Sequence, residues 1–170
     1  MNANAHTSKG GFRQPAPAIR ASHSLMLSDV EIVEAFFDAI YRLDFDAAVG
    51  FLTDDASYHD LPLPTDPTVS KAAIRRKLDF MIAGGVTSMD YEIRHILGGG
   101  GTVLVERTET WHFPSGAAPT LRVMCAIELE DDKIAAWREY WNGEELMSQM
   151  PPEFFEGVER ALAQDDAPAT

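Results

Sequence analysis

The sequence predicts an α+β domain in which a curved, mainly antiparallel sheet is covered on one face by helices. Two observations carry this. Up to about residue 85 the apolar residues recur at helical intervals, and from Val86 onward they alternate with a period of two. Tight-turn signals, the glycine run 98–101 and Asp131-Asp132, separate the alternating runs, so consecutive strands pair antiparallel. Helices first and strands afterwards is the pattern of an α+β domain, with room for a pocket between the layers.

The elements follow in order. Residues 1–27 offer no periodic apolar face, only Gly10-Gly11 and an alternation of Pro15, Ala16 and Pro17, and are predicted to be a disordered tail. Ser28-Asp29-Val30-Glu31 has the spacing of a capping box and leads into Ile32, Val33, Phe36, Phe37 and Ile40, a first helix. Asp44 caps a short second helix through Ala47, Ala48, Phe51 and Leu52. Ser70 caps a third through Ile74, Leu78 and Met81, which Gly84-Gly85 ends. Strands are predicted through Met89, Tyr91 and Ile93; through Val103, Val105, Arg107, Glu109 and Trp111; through Leu121, Val123, Cys125, Ile127 and Leu129; and from Ile134 to Trp141. Pro151-Pro152 opens a closing helix through Phe154, Phe155, Val158 and Leu162. The predicted division is a tail over 1–27, the domain over 28–150, and a C-terminal helix and tail over 151–170.

Composition excludes several classes of function. At 170 residues the chain fits one domain with a single core, burying about 70% of its unfolded surface. With 14 Lys and Arg against 27 Asp and Glu, the net charge is -13, which repels nucleic acid and anionic lipid. Lys9, Arg13 and Arg20 precede Ser28 without any acid, so the rest of the chain is more acidic still. The single cysteine, Cys125, excludes a disulfide framework and a Cys-rich metal site. No apolar run approaches the roughly 20 residues of a membrane span. His6, His23, His59, His95 and His112 show no paired metal spacing, so no metal is expected. The glycine run 98–101 leads into a strand where a phosphate-binding loop would open a helix, and reads as a hairpin turn. A cytoplasmic, cofactor-free domain is the expectation.

The informative residues lie on strands. Arg107 and Glu109 are two apart and share a face with Val103, Val105 and Trp111. Ions on an apolar face are costly unless paired, so a structural salt bridge and a reactive pair both satisfy this pattern. Glu139 sits likewise between Trp137 and Trp141, which read equally as core. Tyr58 and Asp60 share a face just before Leu61-Pro62-Leu63-Pro64, where Asp60 could cap the turn and Tyr58 satisfy a buried backbone group.

Taken together, Tyr58-x-Asp60-x-Pro62-Leu63-Pro64, Arg107-x-Glu109 and Trp137-Arg138-Glu139-Tyr140 resemble the limonene-1,2-epoxide hydrolase family, within the nuclear transport factor two-like superfamily, over about residues 28–148. The resemblance implies a cone-shaped, mixed but mainly antiparallel barrel around a deep apolar pocket, usually paired as a homodimer, and an apolar small-molecule substrate. It implies that Glu109 protonates an epoxide oxygen, Glu139 is the base toward a water, Arg107 bridges them, and Tyr58 and Asp60 hold the water. Trp111, Trp137, Trp141 and Val105 would line the substrate pocket. Both acids are Glu where the family has Asp, and Asp60 stands where it has Asn. An isomerase or polyketide-cyclase-like enzyme, or a non-catalytic small-molecule-binding dimer, is the alternative on the same fold.

Overall fold

The computed structural model describes residues 27–165, so the predicted tail over 1–27, Leu27 apart, lies outside the described residues. Helix α1 (Asp29–Tyr41) opens on the predicted capping box: the Glu31 amide donates to Ser28 Oγ at 3.3 Å and the Ser28 amide donates back to Glu31 Oε2 at 2.7 Å. Its apolar row buries Val33, Phe36 and Phe37 completely, and Phe36 meets Trp137 edge-on with ring centroids 5.0 Å apart.

Helix α2 (Phe45–Val49) is shorter than the sequence predicts, and Leu52 instead opens strand β1 (Leu52–Asp60). Leu52 lies four residues beyond Ala48 but also two pleats before Ala56, so both periods fit it. Pairing decides: the Ile134 amide donates to the Phe51 carbonyl at 2.8 Å, and Leu52 lies opposite Ile134. A two-residue strand, β2 (Thr68–Val69), precedes α3 (Lys71–Ala83), which Ser70 caps as predicted through the Ala73 amide.

The remaining strands are β3 (Ser88–Gly99), β4 (Thr102–His112), β5 (Thr120–Glu130) and β6 (Lys133–Trp141), all paired antiparallel in sequence order. Gly100 and Gly101 take φ of +61° and +76°, and Asp131 and Asp132 take +47° and +61°, the left-handed pair a two-residue hairpin demands. The six-stranded sheet runs β2-β1-β6-β5-β4-β3, with β1 parallel to β6. It is curved but not closed, for β2 and β3 remain its two edges. Helices α4 (Gly143–Met147) and α5 (Pro152–Asp165) complete the cover that the N-terminal helices begin.

Candidate active site

Sheet register assembles the site. Asp60 on β1 lies opposite Glu139 on β6, Glu139 opposite Cys125 on β5, and Cys125 opposite Val105 on β4. One row nearer the helices α4 and α5 comes Arg107, opposite Val123, itself opposite Trp141. Side chains two apart share a face, so Tyr58 and Asp60, Arg107 and Glu109, and Trp137 and Glu139 all meet on the covered face. The small Val123 and Cys125 side chains between them let the Arg107 guanidinium reach across β5 to Glu139.

Arg107 is the centre of the ionic group. Its Nη2 donates to Glu139 Oε1; its Nε donates to the Tyr41 hydroxyl at 2.5 Å and lies 3.3 Å from Glu109 Oε2. The Phe37 ring lies 4.4 Å beneath the guanidinium. Each of the three tryptophans donates its indole N–H to a different carboxylate: Trp111 to Glu109 at 3.1 Å, Trp137 to Glu139 at 2.9 Å, and Trp141 to Asp60 at 3.1 Å. Thus these rings are apolar walls and hydrogen-bond donors together.

Two partners escaped the sequence analysis. Tyr41, the last residue of α1, donates to Glu109 Oε2 at 2.7 Å, and its ring stacks on Tyr91 at 3.9 Å. Lys77, on α3, places Nζ 2.7 Å from Asp60 Oδ2 and 4.3 Å from the centre of the Tyr58 ring. Both left a signal: Tyr41 extends the buried row of Phe37 by four residues, and Lys77 interrupts the apolar row of Ile74, Leu78 and Met81 with a cation. The Tyr58 hydroxyl donates to Asp60 Oδ1 at 2.8 Å and lies 3.2 Å from Glu139 Oε2.

The three carboxyls and the guanidinium are buried; Arg107 is 3% exposed, Glu109 4%, Glu139 5% and Asp60 7%, which makes pairing obligatory, while Lys77 is only partly buried. Burial pushes the Glu139 carboxyl up to about 7; Arg107 opposes this, while Asp60 and Glu109 add to it. Burial disfavours the Arg107 charge, but Glu139, Tyr41 and Glu109 outweigh it and hold the guanidinium well above its usual range. Burial raises the Tyr58 and Tyr41 hydroxyls too, assisted by Glu139 at Tyr58 and by Glu109 at Tyr41, so both stay protonated.

The ionic group faces a cavity of about 260 Å³ whose walls include Trp111, Trp137 and Trp141. Val105, expected in that wall, is instead completely buried among core side chains and does not line the cavity, because it lies one row deeper on β4 than Arg107. Four methionines, Met81, Met89, Met147 and Met150, line the cavity, as do Phe154 and Val158 from α5. Among the described residues no group of three or more His, Cys, Asp or Glu is arranged to hold a metal ion, and no helix is long and apolar enough to cross a membrane.

The structure is similar to that of a Mycobacterium tuberculosis LEH-like epoxide hydrolase, at 25% identity over 79% of this chain and 92% of that one, with a TM-score of 0.62. It is similar also to a Pseudomonas putida protein described as a putative polyketide cyclase, at 18% identity over 74% of this chain and 100% of that one (TM-score 0.61). SalBIII, described as an epoxide hydrolase/cyclase-like enzyme in pyran ring formation in salinomycin, matches at 22% identity over 69% and 92% (TM-score 0.60). The family model of the SnoaL-like domain matches residues 33–137, which span α1 to Trp137 and so carry Tyr58, Asp60, Arg107 and Glu109. On this match the chain belongs to the SnoaL-like domain family of the nuclear transport factor two-like fold.

Proposed function

We propose that the protein hydrolyses a small apolar epoxide to a vicinal diol by direct attack of water. The observation that carries this reading is Arg107 held between two buried carboxyls at the wall of an apolar cavity. Epoxide opening needs a proton for the oxygen that leaves carbon and a base for the water that attacks it. Two carboxyls beside one guanidinium, sharing a single proton, supply both at once. The alternative on this fold is an isomerase or cyclase that removes a proton from carbon; a guanidinium against the carboxylate lowers its basicity, which weighs against that reading.

Diol formation from a panel of cyclic and aryl epoxides tests the proposal. Wild-type protein should form diol, and Arg107→Gln, Glu109→Gln and Glu139→Gln should each lose most turnover while remaining folded. Turnover of an enolisable ketone with no diol from any epoxide would replace the proposal with the isomerase reading. Pairing into a homodimer belongs to the same proposal: Leu104, Met124 and Tyr140 stand exposed on the outer face of neighbouring strands. Light scattering on the purified protein measures the mass directly.

A further inference from the structure

We infer that Glu139 rests as the protonated acid and Glu109 as the ionised base, the reverse of the roles that the resemblance implies. This assignment rests on the acid-base reading above, and it follows from counting the protons in the hydrogen bonds of the site.

Every neighbour of Glu109 is a donor. Its Oε1 receives the Trp111 indole N–H at 3.1 Å, and its Oε2 receives the Tyr41 hydroxyl at 2.7 Å and faces Arg107 Nε at 3.3 Å. Tyr41 has one proton, and its oxygen already accepts from Arg107 Nε at 2.5 Å, so that proton points at Glu109. A proton on the Glu109 carboxyl would find no acceptor among these groups.

Asp60 is the same. Its Oδ1 receives Tyr58 Oη–H at 2.8 Å and the Trp141 indole at 3.1 Å, and its Oδ2 meets the Lys77 ammonium at 2.7 Å. Lysine has three donors and no acceptor, so Asp60 Oδ2 has no place for a proton. A proton on Oδ1, with Tyr58 turned to Glu139, would leave the Lys77 ammonium facing a neutral carboxyl and Glu139 charged at the longer contact, and the ionised Asp60 is the better-paired arrangement.

Glu139 differs at one oxygen. Its Oε1 receives Arg107 Nη2–H and, at 2.9 Å, the Trp137 indole. The hydrogen-bonding neighbour of its Oε2 is Tyr58 Oη at 3.2 Å, and the one proton of Tyr58 is already given to the nearer Asp60. Two oxygens without a proton between them repel; a proton on Glu139 Oε2, donated to the Tyr58 oxygen, removes the conflict. Lys77 thereby acts as a positioning residue, since its hold on Asp60 fixes which way Tyr58 points.

The charges agree. The groups that face Glu139 are Tyr58 and Asp60 from β1, Arg107 and Glu109 from β4, Cys125 from β5, and, through their partners, Tyr41 from α1 and Lys77 from α3. With Glu139 neutral, Asp60 and Glu109 balance the partly buried Lys77 and the buried Arg107, and the group carries no net charge. The upward push that burial and these acids give the Glu139 carboxyl acts in the same direction.

The reaction balances on this assignment. One O–H bond of the attacking water breaks and its proton passes to Glu109 while the water oxygen bonds to a ring carbon. The carbon–oxygen bond of the epoxide breaks with its electron pair on oxygen, which takes the proton from Glu139 Oε2. Glu109 is then protonated and Glu139 ionised, and return of one proton from the first to the second restores the resting site.

Azide separates the two roles, because it opens an epoxide without a proton to remove and so needs only the acid. Added azide should restore azido-alcohol formation at least tenfold over background in Glu109→Gln and leave Glu139→Gln inactive; rescue of Glu139→Gln alone overturns the assignment. A second measurement needs no turnover: nuclear magnetic resonance of protein labelled with carbon-13 at the glutamate carboxyls. The resonance missing from Glu139→Gln should titrate near neutrality. Asp variants assign the same resonances if a Gln variant does not fold. A near-neutral titration belonging to Glu109 would overturn the assignment. An expected titration with no diol from any epoxide would uphold the proton assignment and sink the hydrolase reading.

Discussion

Arg107 and Glu139 stand two strands apart, and the hydrogen bond between them crosses β5 over the side chains of Val123 and Cys125. The bridge exists only because both intervening side chains are small. Cys125 is 1% exposed, so Cys125→Leu cannot be relieved toward solvent. It should cost about 1–3 kcal/mol of stability, as overpacked cores do, and detach the guanidinium from Glu139. Urea midpoints measure the first effect. Cys125→Ala, which leaves the crossing open, should keep turnover.

Glu139 gives stability a pH slope of definite sign. Its folded carboxyl sits at about 7, above the ordinary value of 4.5. Between those values the folded state binds a proton that the unfolded state has lost, so this group's contribution is greatest at the acid end and falls as pH rises toward and past 7. The loss is on the order of 3 kcal/mol. Glu139→Gln should show a shallower decline between about pH 5 and pH 8 in urea unfolding than wild type. An equal or steeper decline would contradict the raised carboxyl.

Helices α3 and α5 cross backbone to backbone. A Cβ on Gly157 would lie 2.1 Å from the Ala83 carbonyl oxygen and 2.9 Å from Gly84 Cα, both main-chain atoms that cannot swing aside. Gly157→Ala should therefore displace α5, at a cost of about 1–3 kcal/mol, and draw Phe154 and Val158 back from the cavity they line. The expected kinetic signature is a raised KM with kcat less affected, since the acid-base groups lie on other elements.

Direct attack by water predicts where oxygen goes. In a single turnover with enzyme in excess in oxygen-18 water, the new hydroxyl of the diol should carry the label from the first event. Unlabelled diol with label left in a protein carboxylate would make Asp60, Glu109 or Glu139 a nucleophile.

Removal of residues 1–26 should leave the melting temperature unchanged. Helix α1 is capped by its own Ser28 and Glu31, and the preceding sequence has no periodic apolar face. A fall of several degrees would show that the segment packs on the domain.

Much of this was legible because strand period alone decides it. Once 103–113 and 134–141 alternate, Arg107 must share a face with Glu109 and Glu139 with Trp137, whatever covers them. The turns were legible too, since Gly100, Gly101, Asp131 and Asp132 are residues that tolerate positive φ. Tertiary placement was not. Tyr41 and Lys77 reach the carboxylates only because α1 and α3 lie over that part of the sheet, and no local period encodes which helix covers which row. The parallel pairing of β1 with β6 brings Asp60 opposite Glu139 from 79 positions away, a register visible only in the folded chain. Leu52 fitted two periods at once, and pairing with Ile134 decided between them.

The cavity's carboxyls and its methionines behave as different materials. Asp60, Glu109 and Glu139 are pinned from several directions on paired strands, whereas Met81, Met147 and Met150, on or beside the covering helices, offer unbranched thioether arms that reshape with little cost. A rigid floor under a compliant roof would select on the position of the reacting group and tolerate variety in the rest of the molecule. Substrates with different apolar outlines would then differ more in how tightly they are held than in how fast, once seated, they react.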